Sequence, residues 1–531
     1  MNHRILRTVC ALLAASLLCA CSQSRSGSGT ASGRDTLRIS VPQDAKTLDP
    51  ILASNTIDGF VMRFMFEPLL SANPQGDPVP MLAAQVPSRE NGGISADGLT
   101  ITYRLRRNAK WTDGVPVTSR DVQFSWQAIM NPQNNAVSRN GYDDVTRIDT
   151  PNDYTVVVHL KKRFAPFVNT FFAESDQPYT VVPAHVLAKY PDINHVSFDS
   201  DPDVTDGPFR FQSWSHGDHI DLVANDGFFM GKPHLRRIVI HVVPDENTSV
   251  NLLRTHAIDY MFQASIATYP ALHAAAGVHL VWVNMNGYEG IQFNMQRKPL
   301  DDPRVRLAIA YAIDKRRLVR DLTYGQEKLA TEDLPDFMWA YNSALKPLAY
   351  DPSKARALLQ GAGVKLPLDL VLVTDTANVT HKREAVQIQA MLHQVGIQVE
   401  VKTYPGDLLY APAGAGGIVN GGSFDLVLWP WYAGIDPDNS SQFTCASIPP
   451  HGYNESRYCT PEMEALQSSA LTHYDRATRT KAYHGIEALL ARDHPLVAFW
   501  WQRQQEALSV DLHNFTPNPT EESWNAWEWS L

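Results

Sequence analysis

The chain has 531 residues, 44% of them hydrophobic and 19% charged, which is material for roughly two to four packed domains and excludes wholesale disorder and fibrous repeats. Asp and Glu outnumber Lys and Arg by 56 to 46, so a broad nucleic-acid surface, which needs a positive field, is excluded. Beyond the first residues no apolar run approaches the ~20 residues of a membrane-spanning helix.

The chain opens with a basic segment, Arg4 and Arg7, followed by the apolar run Val9 to Leu18. That run is short for a spanning helix and suits an export signal. Leu18-Cys19-Ala20-Cys21 then resembles the bacterial lipobox, in which the last Cys receives the lipid and becomes the mature N-terminus. Residues 1–20 are therefore expected to be a lipoprotein signal peptide, with Cys21 lipidated; an ordinary signal peptide is the alternative. The Ser/Gly-rich stretch 21–35 reads as a flexible tether.

Residues 37–41, 99–105 and 154–160 alternate between apolar and polar, which predicts strands. Thr118-Ser119-Arg120-Asp121 opens a helix carrying Val122, Phe124, Ser125 and Trp126. Residues 209–211, 220–223 and 238–243 read as further strands. Asp302 suits an N-cap and Pro303 a first helical position, and Val305, Ala308, Ile309, Ala312 and Ile313 fall on one helical face. Residues 370–373 form a short strand. A helix over 381–395 ends at Gly396, and Ile397, Val399 and Val401 alternate as the next strand; this βαβ unit predicts a parallel pair. Residues 426–429 read as a buried strand, Pro461 starts a helix, Asp475 caps another, and 496–501 is an apolar strand. The whole is mixed α/β.

Once a signal peptide is removed and Cys21 is acylated, Cys445 and Cys459 remain, an even pair in an oxidising compartment. A disulfide between them would close a loop of about 15 residues, worth roughly 3 kcal/mol. Two free thiols or a metal site are the alternatives.

Motifs for chemistry are scarce. There is no His-Glu-x-x-His helix and no Gly-x-Ser-x-Gly turn after a strand, which weighs against an envelope metalloenzyme or hydrolase. Gly227 to Pro233 mimics a phosphate loop, but it is one residue short and ends in Pro where a Ser or Thr is needed. The His residues are dispersed, so no metal site is expected, and no cofactor. The positive signal is aromatic: Trp429, Trp431, Tyr432, Trp500 and Trp501 gather at two strand ends, as aromatics lining a ligand cleft do.

An ordered series of segments carries a resemblance. It runs through Thr47-Leu48-Asp49-Pro50, Phe66-Glu67-Pro68-Leu69-Leu70, residues 96–114 (Ala-Asp-Gly-Leu-Thr-Ile-Thr-Tyr-Arg-Leu-Arg-Arg-Asn-Ala-Lys-Trp-Thr-Asp-Gly), Asp206-Gly207-Pro208-Phe209 and Gly231-Lys232-Pro233. It continues with Pro244-Asp245, Phe293-Asn294, residues 303–308 (Pro-Arg-Val-Arg-Leu-Ala), Ala312-Ile313-Asp314-Lys315, Phe424-Asp425 and Asp436-Pro437-Asp438. In this order they resemble the family 5 solute-binding proteins of ABC transporters, over roughly residues 36–531. The cysteine pair flanking Asn454 also looks like the dipeptide-binding branch.

The resemblance implies a two-lobed periplasmic-binding-protein-like α/β fold of the class II type, with an extra subdomain and a hinged ligand cleft. Lobe I would comprise 36–75, 206–285 and 506–531, the extra subdomain 76–205, and lobe II 286–505. It implies capture of a peptide or another small solute without catalysis, delivery to ABC-transporter permease subunits, a monomer held to the membrane by its lipid alone, and no nucleic-acid partner.

Carry-over to the site is partial. In peptide binders an Asp shortly after a Gly-Trp pair holds the peptide amine. Trp431 matches the Trp here, followed by Tyr432, but Gly434 occupies the Asp position, and Asp436 is the nearest carboxylate. An Arg that oligopeptide binders place on the preceding strand aligns with Leu428. His381, before Lys382, matches a His that can meet a peptide C-terminus. Ser54, Asn55 and Thr56 are expected to face the cleft from lobe I. The missing amine-holding Asp favours a second reading, in which the ligand is a metal chelate, a sugar or another small metabolite.

Overall fold

The computed structural model describes residues 34–173 and 179–531. Cys21, the expected lipidation residue, the expected signal segment and nearly all of the expected tether lie outside the described residues.

The first half of the chain alternates short strands and capped helices. β1 (Thr36–Val41) buries Leu37, Ile39 and Val41, one face of the alternation seen in the sequence. α1 (Thr56–Met62) starts at Asn55, whose side-chain oxygen accepts the Asp58 backbone N–H. A small ribbon, β2 (Leu70–Ala72) with β3 (Pro78–Pro80), leads to β4 (Thr100–Arg104) and α2 (Ser119–Met130). Thr118 and Asp121 cap α2 reciprocally. β5 (Val145–Asn152) and β6 (Thr155–Leu160) join β4 in a three-stranded antiparallel sheet ordered β4-β6-β5.

β7 (Phe209–Ser215), β8 (His219–Ala224), β9 (Arg237–Val242) and β10 (Tyr260–Ala264) return to β1. Then come β11 (Val278–Phe293), α3 (Pro303–Ala312), β12 (Lys328–Leu329), β13 (Leu368–Asp375), α4 (Val379–His393), β14 (Ile397–Tyr404) and β15 (Leu426–Tyr432). The chain closes with α5 (Pro461–Thr472), α6 (Arg476–Asp493) and β16 (Leu496–Ser509).

One 11-stranded sheet runs through both lobes, in the order β14-β13-β15-β11-β16-β10-β1-β9-β8-β7, with β12 added on β16. β13 and β14 are parallel, as the βαβ pattern requires, and Gly396 between α4 and β14 sits at φ +90°, where a side chain is strained. β11 and β16 are long antiparallel neighbours that carry the chain between lobes. Their ladder runs from Val278↔Ser509 to Gln292↔Leu496, with register breaks between Asn284 and Tyr288 and between Glu289 and Gly290.

The cores follow the two ends of the sheet. A single buried cluster takes in Leu37, Phe64, Ile101, Phe171, Ile238 and Trp529, so the segment 76–205 packs continuously with the β1 end and has no separate core. At the other end Ile291, Ile309, Leu372, Ile388 and Phe499 form one core and Tyr288, Phe443, Tyr483 and Trp501 another. Segment 76–205 also touches the far lobe. Tyr474 donates its hydroxyl to the Gly98 carbonyl at 2.9 Å, and Arg476 pairs with Asp77 at 3.2 Å. Among the described residues no helix is long and apolar enough to cross a membrane. Cys445 and Cys459 are joined in a disulfide.

Candidate ligand-binding cleft

The cleft is built on the strands that connect the lobes. Opposed residues of an antiparallel ladder share a face. Glu289 of β11 lies opposite Pro430 of β15 and opposite Trp500 of β16, so all three side chains project to one side. Tyr288, one residue earlier, lies opposite Trp431 and Trp501 and projects to the other side, into a core. Two glycines let β11 lie this close to its neighbours. A Cβ on Gly287 would come 2.1 Å from the Trp431 carbonyl oxygen, and one on Gly290 2.4 Å from that of Val497.

On the Glu289 face is a cavity of about 330 Å³. Lobe I contributes Gln263 to Ile266; lobe II contributes Glu327, Asn378, His381, Pro430 and Tyr432; Trp500 and Gln502 to Gln505 of β16 line it as well. Both lobes therefore wall the same space. Tyr432 is 52% exposed, and the Trp282 ring lies 5.0 Å beneath the Arg503 guanidinium.

The polar groups here are unevenly satisfied. Gln502 Nε2 donates to Glu289 Oε2 at 3.2 Å, and His381 Nε2 lies 3.3 Å from the same oxygen. Glu289 Oε1 is buried and accepts no hydrogen bond. The same holds for Glu327 Oε2 and for both side-chain polar atoms of Gln505. Burial raises the Glu327 carboxyl to about 8; Arg503 opposes the shift and Glu289 adds to it. Glu384, on the inner face of α4, is fully buried with neither oxygen partnered; burial, reinforced by Glu289, holds its pKa well above the usual carboxylate range. Arg503 donates from Nη1 to the Gln326 carbonyl at 2.6 Å.

The residues singled out in the sequence divide. His381 and Tyr432 line the cavity. His381 is buried, and its ring contacts a carboxylate, Asn378 and Thr374. Trp431, on the opposite face of β15, packs edge to face on Tyr453 at 5.6 Å. The Gly434 carbonyl accepts from Asn286 Nδ2 at 2.6 Å, outside the cavity wall. Asp436 is buried in a two-pronged pair with Arg479, at 2.5 and 3.0 Å, and also accepts from Asn169 Nδ2 at 3.0 Å. Asn55 caps α1, and neither it nor Ser54 or Thr56 lines the cavity. The sequence reading missed Glu289, Glu327, Gln505 and Arg503. A signal for the first was present, since Glu289 is an acid inside an otherwise apolar strand, framed by Gly287 and Gly290. The polar run Gln502 to Glu506, interrupting the apolar β16, was a second.

The chain has a two-lobed α/β fold with a cavity on the strands shared by both ends of its large sheet. The chain belongs to the bacterial extracellular solute-binding proteins, family 5, whose middle-region model matches residues 77–448. It is 26% identical over 485 residues to a glutathione-binding protein, GsiB, from Pectobacterium atrosepticum, covering 91% of each chain. It is 24% identical to the oligopeptide-binding protein AppA of Bacillus subtilis, covering 82% of this chain and 81% of AppA. In structure it is similar to AppA bound to a nonapeptide (TM-score 0.74, 94% of this chain and 99% of AppA, 21% identity). It is also similar to HbpA2 of Haemophilus parasuis (TM-score 0.82, 93% and 99%, 24% identity).

Proposed function

We propose that this chain is an extracytoplasmic lipoprotein, anchored through Cys21, that captures small peptides between its lobes and delivers them to the permease subunits of an ABC importer. It acts as a monomer and catalyses no reaction. The observation carrying this reading is the cavity on the β11/β16 floor, walled from both lobes and rich in unpartnered polar atoms, as a site awaiting a polar solute would be. The names of the relatives, which bind oligopeptides and glutathione, support the ligand class. In this reading Tyr432 and His381 touch the ligand, and closure is a population shift driven by the ligand's preference for the closed form.

A second reading keeps the transport role and makes the ligand a metal chelate, a sugar or another small metabolite. The engagement of Asp436 with Arg479, together with Gly434 at the amine-holding position, favours it.

A thermal-shift screen on protein stripped of carried-over ligand by partial unfolding separates the two. One set holds di- to pentapeptides, the other sugars and metal chelates. A ligand at 100 times its Kd stabilises by about 2.7 kcal/mol. Stabilisation by the first set supports the peptide reading, and a response confined to the second overturns it. Replacing Cys21 by Ser should release the protein from membranes; retention would overturn the lipid anchor.

A further inference from the structure

We propose that Glu289 is the anchor for a primary ammonium group of the ligand, taking the role that neither Gly434 nor Asp436 fills. This rests on reading the cavity as the solute site.

The argument begins with an unmatched charge. The Glu289 side chain is only 5% exposed, yet it lines the cavity. Its two oxygens differ. Oε2 is taken by Gln502 and His381, whereas Oε1 has no partner. Buried carboxylate oxygens in native proteins are almost always hydrogen-bonded, so a bare one on a residue that lines a cavity marks a place for a donor.

The surroundings select the donor. Besides Glu289 Oε1, the cavity-lining residues leave two further acceptors without partners, Glu327 Oε2 and Gln505 Oε1, and two donors, Gln505 Nε2 and Arg503 Nε. An ammonium brings three N–H donors and no acceptor, matching the bare Glu289 Oε1 with the Gln505 Oε1 acceptor on the same wall. An anion would meet the two carboxyls Glu289 and Glu327 instead. The cation that faces them, Arg503, already donates from Nη1 to the Gln326 carbonyl.

Asp436 does not compete for the role. Both of its oxygens are engaged by Arg479, and it does not line the cavity.

The test measures a ratio. Calorimetric affinities are taken for di-, tri- and penta-alanine and glutathione, each with a free and an acetylated α-amine, on wild-type protein and on Glu289→Gln. Wild type should bind the free-amine member of the pair about 30-fold tighter, the worth of a charge-assisted hydrogen bond to a buried group. In Glu289→Gln the two members should bind within about threefold of each other. A general loss of fold would weaken both members alike and leave the ratio unchanged. If Glu289→Gln does not fold, the ratio is read in Glu289→Asp, where retracting the carboxylate should lower it about tenfold. Equal binding of both members by wild type, or a preference that survives in Glu289→Gln, overturns the proposal while leaving peptide capture intact. Failure of every peptide to bind overturns peptide capture, and this proposal with it.

Discussion

Arg479 holds Asp436 by both guanidinium arms, at 2.5 and 3.0 Å, with both side chains more than nine-tenths buried. The guanidinium also lies 5.2 Å over the Trp339 ring and 3.2 Å from the Tyr483 hydroxyl. Burial opposes the charge on Arg479, but Asp436 outweighs it and raises the guanidinium's pKa. The carboxylate nearest the position that holds a peptide amine in relatives of this type is thus a structural partner. It also receives Asn169 from the segment 76–205, so one pair fastens three parts of the chain.

Asp436→Asn should therefore act on stability. Removing one partner of a buried pair leaves an uncompensated charge and costs about 3–5 kcal/mol. Denaturant titration should show that loss, while the affinity of the folded fraction for its solute changes by less than about threefold. A large affinity loss with unchanged stability would reverse the assignment.

The glycines beside Glu289 give a second expectation. A methyl at Gly290 meets a backbone carbonyl, which cannot swing aside as a side chain would. Overpacking of this kind costs about 1–3 kcal/mol, so Gly290→Ala should melt earlier by that amount. Because the clash lies between β11 and β16, it should also weaken solute binding. Gly361→Ala, at a helical position with no atom within 4 Å of the added carbon, serves as the neutral control.

Stability should fall as pH rises, because several buried carboxyls hold protons in the folded state. Burial, reinforced by Asp333, raises Glu487 to about 9, although its Oε2 accepts the Asn342 backbone N–H at 2.7 Å. Burial also raises Asp333 to about 6 and, against the pull of Lys315, Glu332 to about 8. A raised carboxyl contributes stability that is complete below its unfolded pKa, near 4.5 for Glu487, and lost as pH climbs through its folded value. His494, lowered to about 4 by burial, works in the opposite sense, contributing above pH 6.5 and losing that contribution as pH falls toward 4. Wild type should thus weaken steadily from pH 6.5 to 9. Glu487→Gln, neutral throughout, should lie close to it near pH 5 and gain on it by about 4 kcal/mol by pH 8.5 in melting experiments. Parallel curves for the two proteins would show that Glu487 is ionised in the fold.

The disulfide closes a loop whose ends are 14 residues apart. Replacing Cys445 and Cys459 together by Ser should lower stability by about 3 kcal/mol in the chain-entropy account. The expected signature in denaturant is a lower midpoint. Wild type in reductant should behave as the double variant does.

These elements also mark how far the sequence could be read. Strands with clean alternation, such as β1, β4 and β6, stood out because one face is buried and the other is not. The β13–α4–β14 unit was legible from its own periods and the turn at Gly396, though the helix starts at Val379 behind its cap Asn378, two residues before the expected 381. β11 was not, because it serves two environments along its length. Its first half is only partly buried, its middle passes through Asn284, Asn286 and Gly287, and only from Tyr288 onward is it a core strand. β16 was seen only as far as Trp501, for the polar run that follows faces the cavity. The site was obscured by the same interruption of pattern: Glu289 and Gln505 break the apolar period where the ligand space begins. Resemblance put Gly434 at the amine-holding position and left Asp436 as the nearest carboxylate, whose partner lies 43 residues away and shows only in three dimensions.

The continuity of the large sheet has a mechanical consequence. The two connections between the lobes are neighbouring strands hydrogen-bonded to each other, so neither can bend without the other. Such a ribbon resists sliding and stretching but yields to twist, and its ladder is interrupted only around Asn284 to Gly290. Such a ribbon would let the halves turn about one axis like covers on a spine, with less wobble than independent linkers would allow. In the proposed transport role a permease would then meet a narrow range of shapes, and the angle between the covers would be the message it reads.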